Sequence, residues 1–530
     1  MQTVLSATFD VLRTNGLTTI FGNPGSNELP FIGQLPPDFN YVLGLNEGVV
    51  VGIADGFAQA SNAPALVNLH SAAGTGNAMG ALTNAWYAHS PLVVTAGQQV
   101  RAHLGGEAML SNVQATVLPQ PLVKLALEPA LPADVPRSMA QAVHTAMGPP
   151  RGPVYLSIPY DDWDQELDAD APSIADRQVR HGGRLAAEDL DHIVARLRAA
   201  TRPALVLGGD VDATEANELA VTLADRASVP TWIAPSPYRC PFPTRHPRFQ
   251  GVLPTSMRGL ADVLAGHDLI LVIGAPVFRY HHYQPGPILP DGTSLIQLTS
   301  DPGEAARAWA GDAYVCDIPS ALAGLIERLP ETGAASVPRR TSGPRQDEDN
   351  WPVAPARVFD TLNSVVPDST IYVTESTSTT DAFWDTINLA DQGSYYFAAA
   401  GGLGFGMPGA LGVKLASPDR KVVALIGDGA ANFSIPALWT AARYGIDVTY
   451  LILQNETYGA LRPFAASMGI TAVPGLDISG IDFCSIAAGY GVPAERVGSG
   501  RELAGVLKQA MDSPGPRVIV VPTSLDQRRW

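Results

Sequence analysis

One stretch in the last third of the chain constrains its possible fold more than any other. Residues 421–426 form an apolar run typical of a buried strand, and this run ends at Gly427-Asp428-Gly429. A helical pattern over residues 434–444, with Pro436 in its first turn, leads to a second buried strand over residues 448–453. The pattern therefore predicts a strand–turn–helix–strand unit with two neighbouring parallel strands.

The two predicted strands place a carboxylate and an amide at the same edge of a sheet. Asp428 follows the first strand and Asn455 closely follows the second, and the carboxyl ends of neighbouring parallel strands lie side by side. Their oxygens, with a carbonyl from the loop after Asn455, are ligands that suit Mg²⁺ carrying a diphosphate. Gly427 and Gly429 let backbone N–H groups approach phosphates. A Gly-Asp-Gly run is also an ordinary turn, but the flanking strands and Asn455 favour the site.

Length, composition and charge limit the class of protein. A chain of 530 residues with 46% apolar and 16% charged residues fits a packed α/β enzyme of about three domains. The net charge of −17 argues against nucleic acid or an anionic membrane as a partner. The three cysteines, Cys240, Cys316 and Cys484, are too few and too far apart for a disulfide framework. Without a signal peptide or a membrane-spanning run, we expect a soluble cytoplasmic protein.

Repeated strand–turn–helix patterns predict an α/β fold with three doubly wound parallel-sheet domains. The predicted domains are residues 1–165, 184–330 and 353–530. Polar and Pro-rich segments at residues 165–183 and 330–352 are interpreted as the linkers between them.

Three polar residues of the first domain each come just after a predicted strand. Ser26, Glu47 and His70 are in this position, and parallel sheets present their ligand sites at that edge. Each alone has a common structural explanation, as a helix N-cap, a solvated charge or a core histidine. Together they favour a shared site.

The second and third domains add further candidates. Gly208-Gly209-Asp210 is similar to a nucleotide-binding turn but lacks the full Gly-x-Gly-x-x-Gly pattern, so dinucleotide binding is only a hypothesis. In the aromatic loop 276–283, we expect one of two adjacent histidines to line a site and the other to be solvated. Residues 375–380 offer hydroxyls and a helix N-terminus to phosphates, and the Gly-rich run 398–406 allows a flat ligand to approach.

The Gly-Asp-Gly and Asn455 pattern resembles the binding motif for thiamine diphosphate and Mg²⁺. In that motif two asparagines follow the second strand. Gln454 replaces the first of them here, whereas Asn455, which corresponds to the metal ligand, is present. Longer segments across essentially the whole chain resemble the benzoylformate decarboxylase family. These segments are residues 21–30, 69–80, 155–163, 240–246, 274–281 and 375–380.

The resemblance implies a pyrimidine-binding, a middle and a diphosphate-binding domain, in a homotetramer built as a dimer of dimers with active sites at subunit interfaces. It implies thiamine diphosphate and Mg²⁺ as cofactors, with Ca²⁺ able to substitute. The implied reaction is non-oxidative decarboxylation of an aromatic 2-keto acid, in particular benzoylformate to benzaldehyde and CO₂. The cofactor serves as the electron sink that such a reaction needs.

The resemblance also assigns roles to single residues. Glu47 would hydrogen-bond the aminopyrimidine of the cofactor from the neighbouring subunit, and Ser26 would bind the substrate carboxylate. His70 and His281 would act as acid–base groups. The resemblance implies that the cofactor is contacted by Asn23, Pro24, Gly25, Thr377, Ser378, Gly401, Leu403, Gly427, Asp428, Gly429, Tyr458 and Gly459. It implies that the metal ligands are Asp428, Asn455 and the Thr457 carbonyl. The residues that it implies for the aryl pocket are Leu110, Ala460, Leu461 and Phe464.

One segment departs from the family pattern and leaves alternatives open. Pro463 stands where the family has Trp, and residues 465–471 also differ, so we expect a re-shaped loop over the pocket. Aryl preference and carboligation therefore stay open. Another thiamine-diphosphate enzyme, such as an acyloin lyase or an acetolactate-synthase-like carboligase, is the main alternative. Ser26, His70 and His281 favour the decarboxylase, and Glu47 argues against a non-catalytic protein of the same fold.

Overall fold

The computed structural model describes residues 2–168, 175–331 and 351–525. Its strands form three six-stranded sheets in which neighbouring strands are parallel. With helices between the strands, this architecture confirms the predicted α/β fold with three doubly wound parallel sheets. One sheet lies in each predicted domain segment. Parts of both predicted linkers, residues 169–174 and 332–350, lie outside the described residues.

The first and third sheets share one topology, and the second has another. The first sheet has the order β2-β1-β3-β4-β6-β5, the third has the equivalent order β14-β13-β15-β16-β18-β17, and the second has β12-β11-β10-β7-β8-β9. The second order is that of dinucleotide-binding folds. The strands are β1 Thr19–Gly22, β2 Asn40–Leu43, β3 Ala65–Leu69, β4 Leu92–Gln98, β5 Ala126–Leu127, β6 Val154–Pro159, β7 Pro203–Leu207, β8 Thr231–Ile233, β9 Phe249–Val252, β10 Leu269–Ile273, β11 Ser294–Thr299, β12 Asp312–Val315, β13 Ile371–Glu375, β14 Tyr395–Phe397, β15 Val422–Gly427, β16 Val448–Gln454, β17 Ala494–Arg496 and β18 Arg517–Pro522.

Helices connect the strands and cover the sheets, whose central strands are almost completely buried and apolar. They are α1 Val4–Thr14, α2 Leu29–Ile32, α3 Glu47–Ser61, α4 Ser71–Tyr87, α5 Arg101–Leu104, α6 Val135–Met147, α7 Ala187–Ala199, α8 Gly209–Ala213, α9 Asn217–Ala227, α10 Met257–Val263, α11 Pro302–Arg307, α12 Ile318–Arg328, α13 Pro355–Val365, α14 Thr380–Thr386, α15 Gly406–Ala416, α16 Asp428–Ser434, α17 Ala437–Tyr444, α18 Leu461–Ser467, α19 Phe483–Gly489 and α20 Gly500–Asp512.

The helix predicted after the Gly-Asp-Gly turn is in fact two helices. We predicted one helix over residues 434–444, but α16 already begins at Asp428 and α17 begins at Ala437. The two are separated at Ile435 and Pro436. Because proline has no N–H to continue the hydrogen-bond ladder, the first helix ends there and a new one begins.

Helices α3 and α15 join the first and third domains through direct backbone contact. A Cβ atom on Gly56 would overlap the carbonyl oxygen of Gly409, and one on Gly412 would overlap the carbonyl oxygen of Ile53. These glycines therefore allow the two helices to approach more closely than any side chain would permit.

A buried arginine of the second domain connects all three domains. Arg239 donates to Asp212 at 2.6 Å and to the carbonyl of Gln59, in the first domain, at 2.9 Å. Its guanidinium lies 4.8 Å from the ring centroid of Tyr396, in the third domain. Asp212 also accepts from the backbone N–H of Gly393 at 3.0 Å. The charge of Arg239 is thus paired, as burial requires.

A histidine links the first domain to the second. His89 Nδ1 lies 3.2 Å from Asp210 Oδ1, and its Nε2 lies 4.0 Å from Asp301 Oδ2. Burial opposes its charged form, but the carboxylates of Asp210, Glu304 and Asp301 outweigh this effect and raise the pKa of His89 to about 9. His89 is therefore an imidazolium at neutral pH.

Within residues 2–168, 175–331 and 351–525, no helix has both the length and the apolar character needed to cross a membrane.

The close packing of α3 on α15 can be tested with Gly56→Ala. The added methyl group would meet the Gly409 backbone, which cannot move aside, so we expect the free energy of unfolding to fall by about 1–3 kcal/mol or more. Gly505→Ala is the matched control, because a Cβ there, on exposed α20, meets nothing within 4 Å. It should stabilise the protein by about 0.5–1 kcal/mol. Thermal unfolding of both variants checks this, and equal midpoints would contradict it.

The interface histidine predicts a pH dependence. Since the pKa of His89 is raised from about 6.5 to about 9, the folded protein binds more protons than the unfolded chain between these values. The contribution of His89 to the free energy of unfolding is therefore complete below pH 6.5 and is lost as the pH rises through 9. Its full size is about 3 kcal/mol. Thermal unfolding from pH 6 to 10 should show this slope, and His89→Gln should reduce it. An identical slope in the variant would contradict the assignment.

Candidate active site

The loop after β1 and the end of β3 meet around a buried carboxylate. His70 follows β3, and its Nδ1 lies 2.8 Å from Oε2 of Glu28, whose side chain is fully buried. Glu28 ends the short 3₁₀ helix Ser26–Glu28 and also accepts from the N–H of Gly25 at 2.8 Å. The His70 ring is thus held on one side by Glu28. We did not single out Glu28 from the sequence, because its partners are distant in the chain.

Glu47 and His70 lie against the same turn of α4. Glu47 begins α3, is only 8% exposed and accepts from Asn77 Nδ2 at 3.0 Å. A Cβ on Gly74 would lie 3.2 Å from Glu47 Oε1 and 3.4 Å from the Cβ of His70. The absence of a side chain at Gly74 therefore leaves these two groups at one place, as expected from their positions at the sheet edge.

Ser26 and Leu110 lie beside this pair. Ser26 is exposed, and its Oγ lies 3.4 Å from Asn27 Oδ1. Asn27 Nδ2 donates to the carbonyl of Leu110 at 3.4 Å, and Ser71 Oγ donates to it at 2.5 Å. The Leu110 loop is thereby held next to His70. Asn23, Pro24 and Gly25 occupy the turn between β1 and Ser26.

The predicted metal ligands meet at the edge of the third sheet. Asp428 is buried and accepts from the N–H groups of Gly429 at 2.9 Å and Glu456 at 2.5 Å. Burial raises the pKa of Asp428, and these N–H groups act against that rise. Asn455 Oδ1 accepts from the N–H of Thr457 at 3.1 Å. These oxygens form a hard donor set that can hold Mg²⁺.

Glycines around these ligands let the predicted diphosphate residues pack closely against them. A Cβ on Gly459 would lie 3.0 Å from Asn455 Nδ2 and 3.2 Å from the Cβ of Ser378. A Cβ on Gly429 would lie 2.7 Å from the ring of Tyr458. Gly427 caps α16, and Thr377 is exposed beside Ser378. The residues predicted to contact the diphosphate therefore lie around Asp428 and Asn455, the two predicted metal ligands.

The departure at Gln454 has a structural explanation. Gln454 is buried, its Nε2 donates to the carbonyl of Ile481 at 3.2 Å, and its Oε1 accepts from Arg496. The side chain therefore serves packing next to Asn455, the predicted metal ligand.

The glycine-rich loop before α15 is held from two sides. Glu375 accepts from the N–H groups of Gly404, Phe405 and Gly406 at 2.7, 3.1 and 2.9 Å, and burial raises its pKa to about 7. Asn84 of the first domain donates to the carbonyl of Gly402 at 2.9 Å and accepts from Ala400 at 3.2 Å. We predicted that residues 375–380 serve phosphates, yet Glu375 anchors this loop.

That loop carries the residues predicted to hold the cofactor ring. Gly401 is exposed and has φ of +74°, which favours glycine, and Leu403 is partly buried against the third sheet. The loop therefore presents backbone and an apolar side chain next to the metal ligands.

The histidine-bearing loop of the second domain lies against α18 of the third. The Phe464 ring centroid is 4.9 Å from that of His281 and 5.3 Å from that of His282. His281 is exposed and His282 is buried, so both histidines contact the aromatic residue predicted to line the pocket. Ala460 and the half-exposed Leu461 precede Phe464 at the start of the helix.

Pro463 causes no break in α18. It lies in the first turn of Leu461–Ser467, where its missing N–H would have no partner within the helix. The departure from the family pattern at this position is therefore compatible with a regular helix over the pocket.

The second-domain turn leaves little room for a dinucleotide. A Cβ on Gly208 would overlap the carbonyl of Gly274, and one on Gly209 would lie 2.5 Å from the ring of Tyr238. The cavity beside them measures about 30 Å³, whereas pockets for small ligands typically measure about 300–1,000 Å³. The glycines of this turn thus serve packing, which argues against the dinucleotide hypothesis.

The site residues form two groups on different domains. Ser26, Glu47, His70 and Leu110 belong to the first domain. The metal ligands, the Gly401 loop and the Phe464 pocket belong to the third, with His281 from the second. The second group suits a diphosphate with its metal, and the first offers a hydroxyl, a carboxylate and an imidazole for chemistry at a cofactor ring.

Comparisons with known proteins match this arrangement. The family model of the thiamine pyrophosphate enzyme N-terminal TPP binding domain matches residues 2–118, that of the central domain matches 190–325, and that of the C-terminal TPP binding domain matches 376–521. These models place the chain among thiamine-diphosphate-dependent enzymes.

Individual relatives narrow the class. A benzoylformate decarboxylase of Pseudomonas aeruginosa is 55% identical over 523 residues, 99% of each chain. The structure of a thiamine diphosphate-dependent 4-hydroxybenzoylformate decarboxylase of Rhodococcus jostii RHA1 has a TM-score of 0.97 at 51% identity, covering 99% of this chain and 100% of that one. A benzoylformate decarboxylase from Polynucleobacter necessarius has a TM-score of 0.97 at 37% identity, with 100% of both chains covered. The chain therefore belongs to the benzoylformate decarboxylase family and is a carboxy-lyase dependent on thiamine diphosphate.

Proposed function

We propose that this enzyme decarboxylates an aryl 2-keto acid of the benzoylformate type to an aromatic aldehyde and CO₂. The observation that carries the proposal is that Glu47 and His70 both lie against Gly74 of α4, while the His70 ring packs on Gly25, next to Ser26. The substrates named for the relatives, benzoylformate and 4-hydroxybenzoylformate, support an aryl side chain.

We propose that Mg²⁺ is held by Asp428, Asn455 and the Thr457 carbonyl, with Ca²⁺ able to replace it. The cofactor diphosphate would lie against Gly427, Gly429 and Ser378. The donor set consists of hard oxygens, and Gly459 lies next to both Asn455 and Ser378.

The residues of the proposed site have different roles in the reaction. Bound thiamine diphosphate supplies the electron sink that accepts the electron pair left when CO₂ departs. Glu47 would hold the pyrimidine ring of the cofactor and exchange a proton with it. Ser26 Oγ donates to the substrate carboxylate and orients it. His70 and His281 give and take the protons at the substrate oxygen and carbon.

The aryl group of the substrate would be enclosed by apolar side chains from both groups. Leu110 closes the first-domain side, and Phe464, with Ala460 and Leu461, forms the other. Excluding water in this way strengthens the electrostatic interactions at the reacting atoms.

We further propose that a second copy of the chain completes each site, in a homotetramer arranged as a dimer of dimers. Apolar side chains near both groups are exposed on a single chain, among them Met109 (85%), Val113 (64%) and Met468 (68%). Such exposure on one chain is typical of a surface that a partner covers. All three cysteines are free thiols, which supports a cytoplasmic location.

The proposed reaction is tested by measuring CO₂ release from a panel of aryl and alkyl 2-keto acids with thiamine diphosphate and Mg²⁺. We expect turnover of benzoylformate well above that of pyruvate. Glu47→Gln should lower kcat by about 100-fold or more, because a neutral amide cannot take up a proton. Glu188→Gln, an exposed carboxylate on α7, is the matched control and should leave turnover unchanged. Activity on pyruvate alone, or formation of an acyloin as the main product, would instead indicate a carboligase.

The metal site is tested by comparing Asn455→Ala with Gln454→Ala. The first variant removes a proposed ligand and should weaken Mg²⁺-dependent binding of thiamine diphosphate by about tenfold or more. The second removes only the partner of Arg496, so it should keep cofactor affinity and lose about 1–3 kcal/mol of stability. Calorimetric titration of the metal-free proteins and thermal unfolding measure both effects. Equal loss of cofactor affinity in the two variants would refute the assignment.

A further inference from the structure

We propose that Glu28 is a positioning residue that fixes the tautomer and orientation of His70, so that Nε2 is the atom exchanging protons with the substrate. The inference rests on the proposed function of His70 and deepens it. It assigns a role to a residue that no sequence motif pointed to.

Glu28 is held by hydrogen bonds to both of its oxygens. Oε2 lies 2.8 Å from His70 Nδ1 and accepts from the N–H of Gly25 at 2.8 Å. Oε1 accepts from the N–H of Gly97 at 2.8 Å and from that of Ser71 at 3.3 Å. The side chain is fully buried, so these four contacts replace water completely.

These contacts determine which nitrogen of His70 carries a proton. A backbone N–H can only donate, and such groups meet both oxygens of Glu28, an arrangement that stabilises the carboxylate over the acid form. A carboxylate has no proton to donate to His70, and therefore Nδ1 must carry one. In the neutral imidazole the lone pair is then on Nε2, the nitrogen on the far side of the ring from Glu28.

The surrounding backbone is shaped around the pair. A Cβ on Gly25 would overlap the ring of His70, and one on Gly97 would overlap Oε1 of Glu28. Glycine at both positions therefore lets the backbone close on the carboxylate and the ring. A glutamine at position 28 would have only one acceptor oxygen, so its NH₂ group would face either backbone donors or a protonated Nδ1.

A double-mutant cycle tests whether Glu28 acts through His70. Glu28→Gln should lower kcat at least about tenfold and change KM little, because the ring loses its fixed tautomer. In the His70→Ala background the same change should cause no further loss, since no ring remains to be positioned. Losses that multiply in the double variant would overturn the proposal.

A second carboxylate provides the matched control. Glu375 is also buried and accepts from three backbone N–H groups, but it contacts no histidine. The loss of kcat caused by Glu375→Gln should therefore multiply with the loss caused by His70→Ala when both changes are combined. Glu28→Asp keeps the charge and should recover part of the activity lost in Glu28→Gln. Failure to recover any would count against a positioning role.

Neutron diffraction of the deuterated wild-type holoenzyme tests the tautomer without any substrate. We expect a deuteron on His70 Nδ1, and its absence there would overturn the proposal even if every variant were unstable. If the wild type fails to decarboxylate aryl 2-keto acids while Nδ1 carries the deuteron, the proposed function fails and the assignment of Glu28 as the group that orients His70 remains.

Discussion

The relative position of the first-domain and third-domain site residues within one chain depends on the backbone contact between α3 and α15. Gly56 and Gly412 let these helices touch without intervening side chains, which joins the first domain to the third. Glu47 begins α3, and the loop carrying Gly401 leads into α15. A small shift at the crossing would therefore move the groups proposed to bind the cofactor ring. Close-packed helices resist such shifts, so the contact fixes the two groups of site residues relative to each other within one chain.

Buried polar contacts extend this constraint to the second domain. Arg239 meets a carboxylate of its own domain, a carbonyl of the first and an aromatic ring of the third. His89 adds a charged contact from the first domain to Asp210. Losing one partner of such a group leaves a buried charge unpaired, which costs several times more than a surface ion pair provides. The His281 loop is thereby held in a domain whose orientation is fixed.

Much of this arrangement could be predicted from the sequence because it follows local rules. Apolar runs in the sequence predicted the strands. The ends of these runs predicted that Asp428, Asn455 and His70 lie at sheet edges. The break at Pro436 and the roles of Glu28 and Glu375 were missed. Sequence patterns do not indicate these roles because Glu28 contacts residues 42 to 69 positions away, and Glu375 contacts a loop about 30 positions away. Only the folded sheet edge brings such groups together.

Three buried carboxylates show how an acidic chain can build a site for an anionic cofactor. Glu28, Glu375 and Asp428 each lie near the carboxyl edge of a sheet and accept from backbone N–H groups of adjoining loops. The N–H groups oppose the rise in pKa that burial causes in Glu375 and Asp428, while each carboxyl group holds its loop in one conformation. Lysine or arginine could neutralise these charges but could not organise several successive N–H groups. The backbone N–H groups therefore offset part of the cost of burying these carboxyl groups and at the same time fix the loops around the site.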